Sequence, residues 1–424
     1  CGRRLEDDVE LCPMDPFFRI RFDDGETFDY TGNREQVKGE IARFNPGDIP
    51  GYERYLKASE DRYEVGFERL GHRSFDTLGK LLSFVPQLAR LRSDRSVYRL
   101  VSRYIRDPRL RMVMSFHPLL IGGNPFSVTS IYSLISYLEQ RWGVYSARGG
   151  TGALVNGMVR LLQGQGSSLR LNSEVSEILV DDGRATGVRL ADGSTLRADV
   201  VVSNADAAWT YRYLVPASAR KRWTNRKIER AKYSNGLFVW YFGTRERYDD
   251  VPHHSILLGP RYKGLLDDIF SRKVLTEDFS LYLHRPTATD NSVAPPGCDT
   301  FYALVPVPHL GGGIDWAERA ESYRQQVQRR LEETVLPGLG DKLVVSHLMT
   351  PQDFQDRLLS FRGAGFSLEP RISQSAWFRP HNRSEDVKGL YLVGAGTHPG
   401  AGIPGVLSSA RVLDEVVPHA SQYA

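Results

Sequence analysis

Gly389 to Val406 reads GLYLVGAGTHPGAGIPGV: a short apolar strand, a turn with glycines at Gly394, Gly396, Gly400, Gly402 and Gly405, and a Pro-Gly step that opens a helix. A backbone without Cβ reaches positive φ freely and comes close to a ligand. The first amides of a helix have no intrahelical partner and point at an anion. Val406, Ala410, Leu413 and Val417 then recur at three- and four-residue steps, which predicts a helix with one buried face behind Pro404. Strand, glycine turn and helix N-terminus together form a docking surface for a phosphorylated cofactor. Taken alone, the pattern is equally that of a structural turn.

A complete nicotinamide-type unit has a second strand and an acidic residue about 20 residues beyond its glycines, and too little chain follows Gly396 for that. The motif therefore closes a cofactor site begun elsewhere. No GxGxxG stands near the beginning, residue 1 is Cys, and CGRRLEDDVELC already has the character of a domain interior. The expectation is of a chain that lacks its natural N-terminus.

The terminal segment, with ARGGTGALVNGMVRLL at 147–162, VVSNADAAWTY at 201–211 and QSAWFRPHN at 374–382, resembles the bacterial-type phytoene desaturases over essentially the whole chain. That resemblance implies an α/β fold with α+β character: a two-domain flavoprotein of the amine-oxidase and phytoene-desaturase type. The dinucleotide-binding domain is expected to be incomplete, its N-terminal GxGxxG unit absent. The implied division is a substrate or helical lid region at 1–140, the middle part of an FAD-binding domain at 141–215, a substrate domain of sheet and helices at 216–370, and the C-terminal part of the FAD-binding domain at 371–424.

By the same resemblance, FAD is held by Val175, Asn204, Ala205, Gly394, Ala395, Gly396, Gly402, Ile403 and Pro404. The wider flavoprotein pattern has an Asp after the first glycine of this turn. Ala395 and Gly396 stand there instead, so backbone amides are expected to make the contacts. On residue preference alone, Val175 is an ordinary strand valine.

At 424 residues the chain exceeds what a single core serves, so two domains are expected. A formal net charge of +4 gives no general affinity for nucleic acid. Cys1, Cys12 and Cys298 are odd in number and form no CxxC, which fits a reducing cytosol better than a disulfide scaffold. The histidines form no HExxH, and adjacent His253 and His254 would point to opposite faces of a strand, so no metal site is expected.

Phe17 to Tyr30 reads as a hairpin about an Asp-Gly turn, and Tyr52 to Leu138 as mostly helical. Between Met112 and Leu138 no Asp, Glu, Lys or Arg occurs, yet Pro118, Pro125 and the Gly122-Gly123 pair break any continuous spanning helix. Two buried helices around a loop, an apolar mouth for a lipid-like substrate, or both, fit the segment. Leu169 to Asn204 reads as LRL, a two-turn meander and a buried strand at Val200 to Ser203.

RKRWTNRKIERAK at 220–232 carries seven basic residues and one acid, Glu229. It reads as a solvated helix face or as a contact with anionic headgroups at the inner face of the cell membrane. NGLFVWYFG at 235–243, FSLYLH at 279–284 and TFYALVP at 300–306 read as buried strands. Ala320, Tyr323, Val327, Leu331 and Val335 mark a helix face.

The resemblance implies stepwise desaturation of a C40 carotenoid precursor, with quinone and oxygen both open as electron acceptors. No side chain takes a hydride from a hydrocarbon, so a flavin must. Apolar burial has no direction, so register on the substrate must come from shape. A long tunnel is expected, lined from Met112 to Leu138, Leu237 to Phe242 and Phe301 to Leu304. His398 is the one titratable candidate inside the turn, as base or as hydrogen-bonding spacer. A related isoprenoid desaturase, isomerase or saturase, and a non-catalytic isoprenoid-binding protein, remain open beside this reading.

Overall fold

The computed structural model describes residues 2–422, so Cys1 lies outside the described residues. Fourteen strands follow one another as β1 (Leu11–Pro13), β2 (Phe18–Arg21), β3 (Thr27–Tyr30), β4 (Tyr145–Ala147), β5 (Val175–Asp181), β6 (Arg184–Leu190), β7 (Thr195–Arg197), β8 (Val201–Ser203), β9 (Gly236–Thr244), β10 (His254–Leu257), β11 (Leu281–His284), β12 (Asp299–Val307), β13 (Leu343–Met349) and β14 (Leu390–Leu392). Seven build one sheet in the order β13-β9-β12-β11-β10-β2-β3. All its neighbours are antiparallel except β10 and β2.

This sheet is two-faced because side chains alternate along a strand. Phe301, Ala303, Val305 and Val307 of β12 are buried, whereas Tyr302, Leu304 and Pro306 are half-buried. The buried face takes Phe238, Trp240 and Phe242 of β9 and Leu281 and Leu283 of β11 into a core with Trp316, Tyr323, Val327 and Leu331. Those four lie along the helix Trp316–Thr334, which Asp315 caps by accepting from the Ala317 and Glu318 amides. At the other end of the sheet, Phe18, Ile20, Phe28 and Tyr30 share a second core with Val37, Ile41, Tyr52, Tyr55, Leu110 and Val113 from three helices.

The hairpin expected at Phe17 to Tyr30 is β2 and β3, with Phe18 opposite Tyr30. The meander is β5, β6 and β7, followed by β8. Leu169–Leu171, read as a further strand, is irregular and exposed: it has no partner edge in the three-stranded sheet. Two long helices do not form between Met112 and Leu138. The chain instead takes short pieces at Pro108–Ser115, His117–Ile121, Ser130–Ser133 and Leu134–Trp142, broken where Gly122 adopts φ +72° and by the prolines. Among the described residues, no helix is long and apolar enough to cross a membrane.

Candidate functional site

β8 and β14 run parallel, Leu392 opposite Ser203, and the Val393 amide extends the ladder to the Ser203 carbonyl at 3.0 Å. Both strands therefore end side by side, and ligands of α/β folds bind beyond the carboxyl ends of parallel strands. β8 runs into Asn204–Asp206, and β14 into the glycine turn. The two turns are in contact: a Cβ on Gly394, whose φ is +99°, would lie 2.6 Å from Asn204 Oδ1. One on Gly396 would lie 2.8 Å from Ala207 Cβ and 2.9 Å from its backbone nitrogen.

Side chains from distant segments lock this corner. The side-chain amide of buried Asn382 donates to the carbonyls of Leu392 and His398, both at 3.2 Å, and the Asn382 backbone carbonyl accepts from the Leu392 backbone amide at 2.8 Å. The Gly394 amide donates to Ser409 Oγ at 2.8 Å. Arg379, 1% exposed, donates from Nη2 to the Ala395 carbonyl at 2.6 Å and to the Leu368 carbonyl at 3.2 Å. Burial pulls its pKa down, with Asp206 and Tyr132 opposing that. Burial likewise pushes the Asp206 carboxyl above the usual range, although it caps the next helix by accepting from the amides of Ala208 and Trp209.

His398 is 7% exposed, and its Nε2 meets the Leu70 carbonyl at 2.8 Å. Its ring stands edge-on to Phe75 at 4.7 Å. Burial brings its pKa down to about 4, so it is neutral near pH 7. The helix Ile403–Arg411 starts from Gly402 at φ +90° with no side-chain cap, and Ile403 and Pro404 are exposed. Two buried polar atoms around the turn have no partner among the described residues: Arg379 Nε and His398 Nδ1. Glycines that leave no room for Cβ, an uncapped helix start and these orphaned atoms fit a polar, phosphorylated group.

Of the residues expected at the cofactor, Asn204, Ala205, Gly394, Ala395, Gly396, Gly402, Ile403 and Pro404 lie in these two turns and the helix start. Val175 lies outside these two turns: it opens β5 and pairs with Leu190, the last residue of β6, which starts from a parallel bridge between Arg184 and Lys388 and so runs in the same direction as β14. The helical face behind Pro404 is also rotated. Ser409, Val412 and Val416 are buried and Ala410 is exposed, because Ser409 bonds Gly394 and the two valines pack on Tyr391. Arg379 and Asn382 were visible within QSAWFRPHN, but nothing local to that stretch assigns them to the turn.

The tunnel walls expected at β9 and β12 need correction. Phe238, Trp240, Phe242, Phe301 and Ala303 face the helix Trp316–Thr334, leaving Val239, Tyr241, Tyr302 and Leu304 on the opposite face. A cleft of about 520 Å³ is lined by Tyr98, Met112, Phe126 and Tyr262 among others, and takes no residue from β9 or β12.

His253 and His254 do not diverge. His253 precedes β10, and strand pairing sets His284 opposite His254, so that one ligand nitrogen from each of the three lies within 4.8 Å of the others. Register carries the row on across the sheet through Tyr302, Tyr241 and His347. Sequence pattern could not show this, since it depends on strand order.

The basic run forms only a short helix, Asn225–Arg230. Asp386 accepts from the amides of Lys221, Arg222 and Trp223. Arg222 pairs with Glu385 at 2.8 Å, and Lys227 lies 3.5 Å from the Trp223 ring centre. Much of the run is therefore held against the 385–386 segment.

The family described as flavin containing amine oxidoreductase matches residues 3–412. The chain belongs to the flavin-containing amine oxidoreductases. Its cofactor is accordingly a flavin. Within the family it falls with the bacterial-type phytoene desaturases. A neurosporene-forming phytoene desaturase of Cereibacter sphaeroides is 53% identical, over 99% of this chain and 82% of that protein. A lycopene-forming phytoene desaturase of Pseudescherichia vulneris is 49% identical, over 97% of this chain and 84% of that one. Among solved structures, putrescine oxidase bound to putrescine superimposes with a TM-score of 0.61 at 12% identity, covering 97% of this chain and 84% of that one, a likeness of fold alone.

Proposed function

We propose that this protein is an FAD-dependent phytoene desaturase, which introduces carbon-carbon double bonds stepwise into a C40 polyene towards neurosporene or lycopene. The observation that carries the reading is 53% identity, along 99% of the chain, to a protein of that activity. The corner supports it independently. Gly394, Ala395, Gly396, Gly402 and Ile403 would hold the cofactor by backbone, with Asn204 and Ala205 beside them. When bound, the flavin supplies the hydride acceptor that no side chain can be.

The residues of the chain position and exclude water. Arg379 and Asn382 fix the turn from behind. His398, neutral and tied to Leu70, acts as a clamp between the turn and the 70–75 segment, not as a base. The row of half-buried Tyr302 and exposed Tyr241 offers flat aromatic surface to a polyene.

A substrate of this kind resides in a bilayer, and the helix Leu78–Arg90 suits that surface. Leu78, Leu82 and Val85 lie on one side at helical spacing, 53%, 58% and 44% exposed, with Arg73, Arg90 and Arg92 exposed nearby. An amphipathic helix with cations at its margin rests in the headgroup plane of a membrane. The exposed apolar face supports a membrane contact at 78–90 in preference to 220–232.

The test supplies phytoene in liposomes to the full-length flavoprotein, and follows products together with flavin reduction. Phytoene is expected to be consumed, with more unsaturated carotenoids appearing. Recovery of unchanged phytoene from the flavin-loaded protein, with an acceptor present, would overturn the reading.

A further inference from the structure

The three imidazoles of His253, His254 and His284 have ring centres 4.5, 4.6 and 5.3 Å apart. Each ring is fixed through the same atom. His253 Nδ1 lies 2.7 Å from Thr289 Oγ1, His284 Nδ1 lies 3.1 Å from Tyr282 Oη, and His254 Nδ1 meets the same Tyr282 hydroxyl. A phenol oxygen has two lone pairs, enough to accept from both rings at once when each carries its proton on Nδ1. With Nδ1 so engaged, Nε2 is the nitrogen left on each ring. On His253, which is 5% exposed, Nε2 is buried and has no partner among the described residues.

We propose that His253, His254 and His284 bind a divalent cation of the Zn²⁺ class. The cluster contains only imidazole, which suits borderline ions and disfavours Mg²⁺ and Ca²⁺. One nitrogen of each ring lies within 4.8 Å of the others, close enough for side-chain rotation to gather three ligand nitrogens about one ion at the ~2.1 Å of a zinc-imidazole bond. Thr289 and Tyr282 already supply the outer hydrogen bonds that orient metal-bound histidines. The ion would join β10, the residue before it and β11 across the sheet. This inference does not rest on the desaturase reading.

The test uses the full-length flavoprotein, without a histidine tag, dialysed to equilibrium against buffered Zn²⁺. Co²⁺ replaces it in a parallel sample, to read coordination from the visible spectrum. One ion per chain is expected, with four-coordinate Co²⁺ bands and a raised melting temperature. His254→Ala and His284→Ala should abolish uptake. The near-isosteric Tyr282→Phe, which keeps all three ligands, should weaken it about 10- to 100-fold. His347→Ala, on the same row outside the cluster, should leave it unchanged. No uptake by the wild-type protein, or uptake indifferent to both His254→Ala and Tyr282→Phe, would overturn the proposal and leave the cluster as polar packing of the sheet face.

Discussion

Gly394→Ala separates two reasons for which the turn needs glycine. The first is conformational: φ is +99°, and forcing an L-residue to positive φ costs about 1–2 kcal/mol. The second is spatial, since the new Cβ would stand 2.6 Å from Asn204 Oδ1. Asn204 is exposed, so its amide swings aside at roughly 0.5–1.5 kcal/mol of rotamer strain. Together the substitution should destabilise the protein by about 2–3 kcal/mol. Denaturant unfolding followed by tryptophan fluorescence reads the loss, and flavin absorbance after gel filtration reads cofactor retention, which should fall with it. In the double variant Asn204→Ala/Gly394→Ala only the spatial part is relieved, so about 1 kcal/mol should return as coupling between the two sites. Full recovery in the double variant, or an unchanged midpoint in the single one, would refute the backbone argument.

The pH dependence of stability should carry a His398 signature. Its pKa falls from 6.5 to about 4 on folding, so between those values the unfolded chain binds the extra proton and stability drops as pH falls from 6.5 towards 4, by up to about 3 kcal/mol. His398→Gln should flatten that part of the curve and retain turnover; loss of turnover with the flavin still bound would return it to the role of base. Asp299 is fully buried and accepts from Arg285 Nε at 2.9 Å, from Thr287 Oγ1 at 2.6 Å and from the Tyr248 amide at 2.7 Å. Asp299→Asn leaves Arg285 with Asp249, 2.9 Å from its Nη2, as its remaining carboxylate, and removes a charged acceptor from a buried network, which should cost about 1–3 kcal/mol in unfolding free energy; an unchanged melting curve would contradict it. In liposome co-sedimentation, Leu82→Asp with Val85→Asp should release the protein, whereas Arg222→Glu should leave it bound, and the opposite pattern would move the membrane contact back to 220–232.

The terminal corner was legible because its requirements are local. Glycines that relieve backbone strain, an apolar strand before them and a proline in the first turn of the following helix act over a few residues, so their order in the sequence is their geometry. The β2–β3 hairpin and the meander were readable for the same reason, and so was the helix Trp316–Thr334, whose Tyr323, Val327 and Leu331 are spaced as a buried stripe. Val175 was carried over from a resemblance, and nothing in its own stretch distinguishes it from an ordinary strand valine. Ala410 was counted into the buried face because helical period alone does not tell which rotation packs. That was settled by the bond from Gly394 to Ser409.

Sequence by itself determined the strand-turn-helix corner and the helices and strands whose periodicity repeats along the chain, since these follow from backbone preferences and from the alternation of polar and apolar residues, and it gave the fold class through the resemblance that its motifs carry. Tertiary structure alone decided which distant side chains meet: Arg379 and Asn382 behind the glycine turn, the His398 clamp on Leu70, and the row from His254 to His347. Such meetings depend on strand order and register, and those are fixed by the burial of a whole sheet face at once, a property that no short stretch of residues contains.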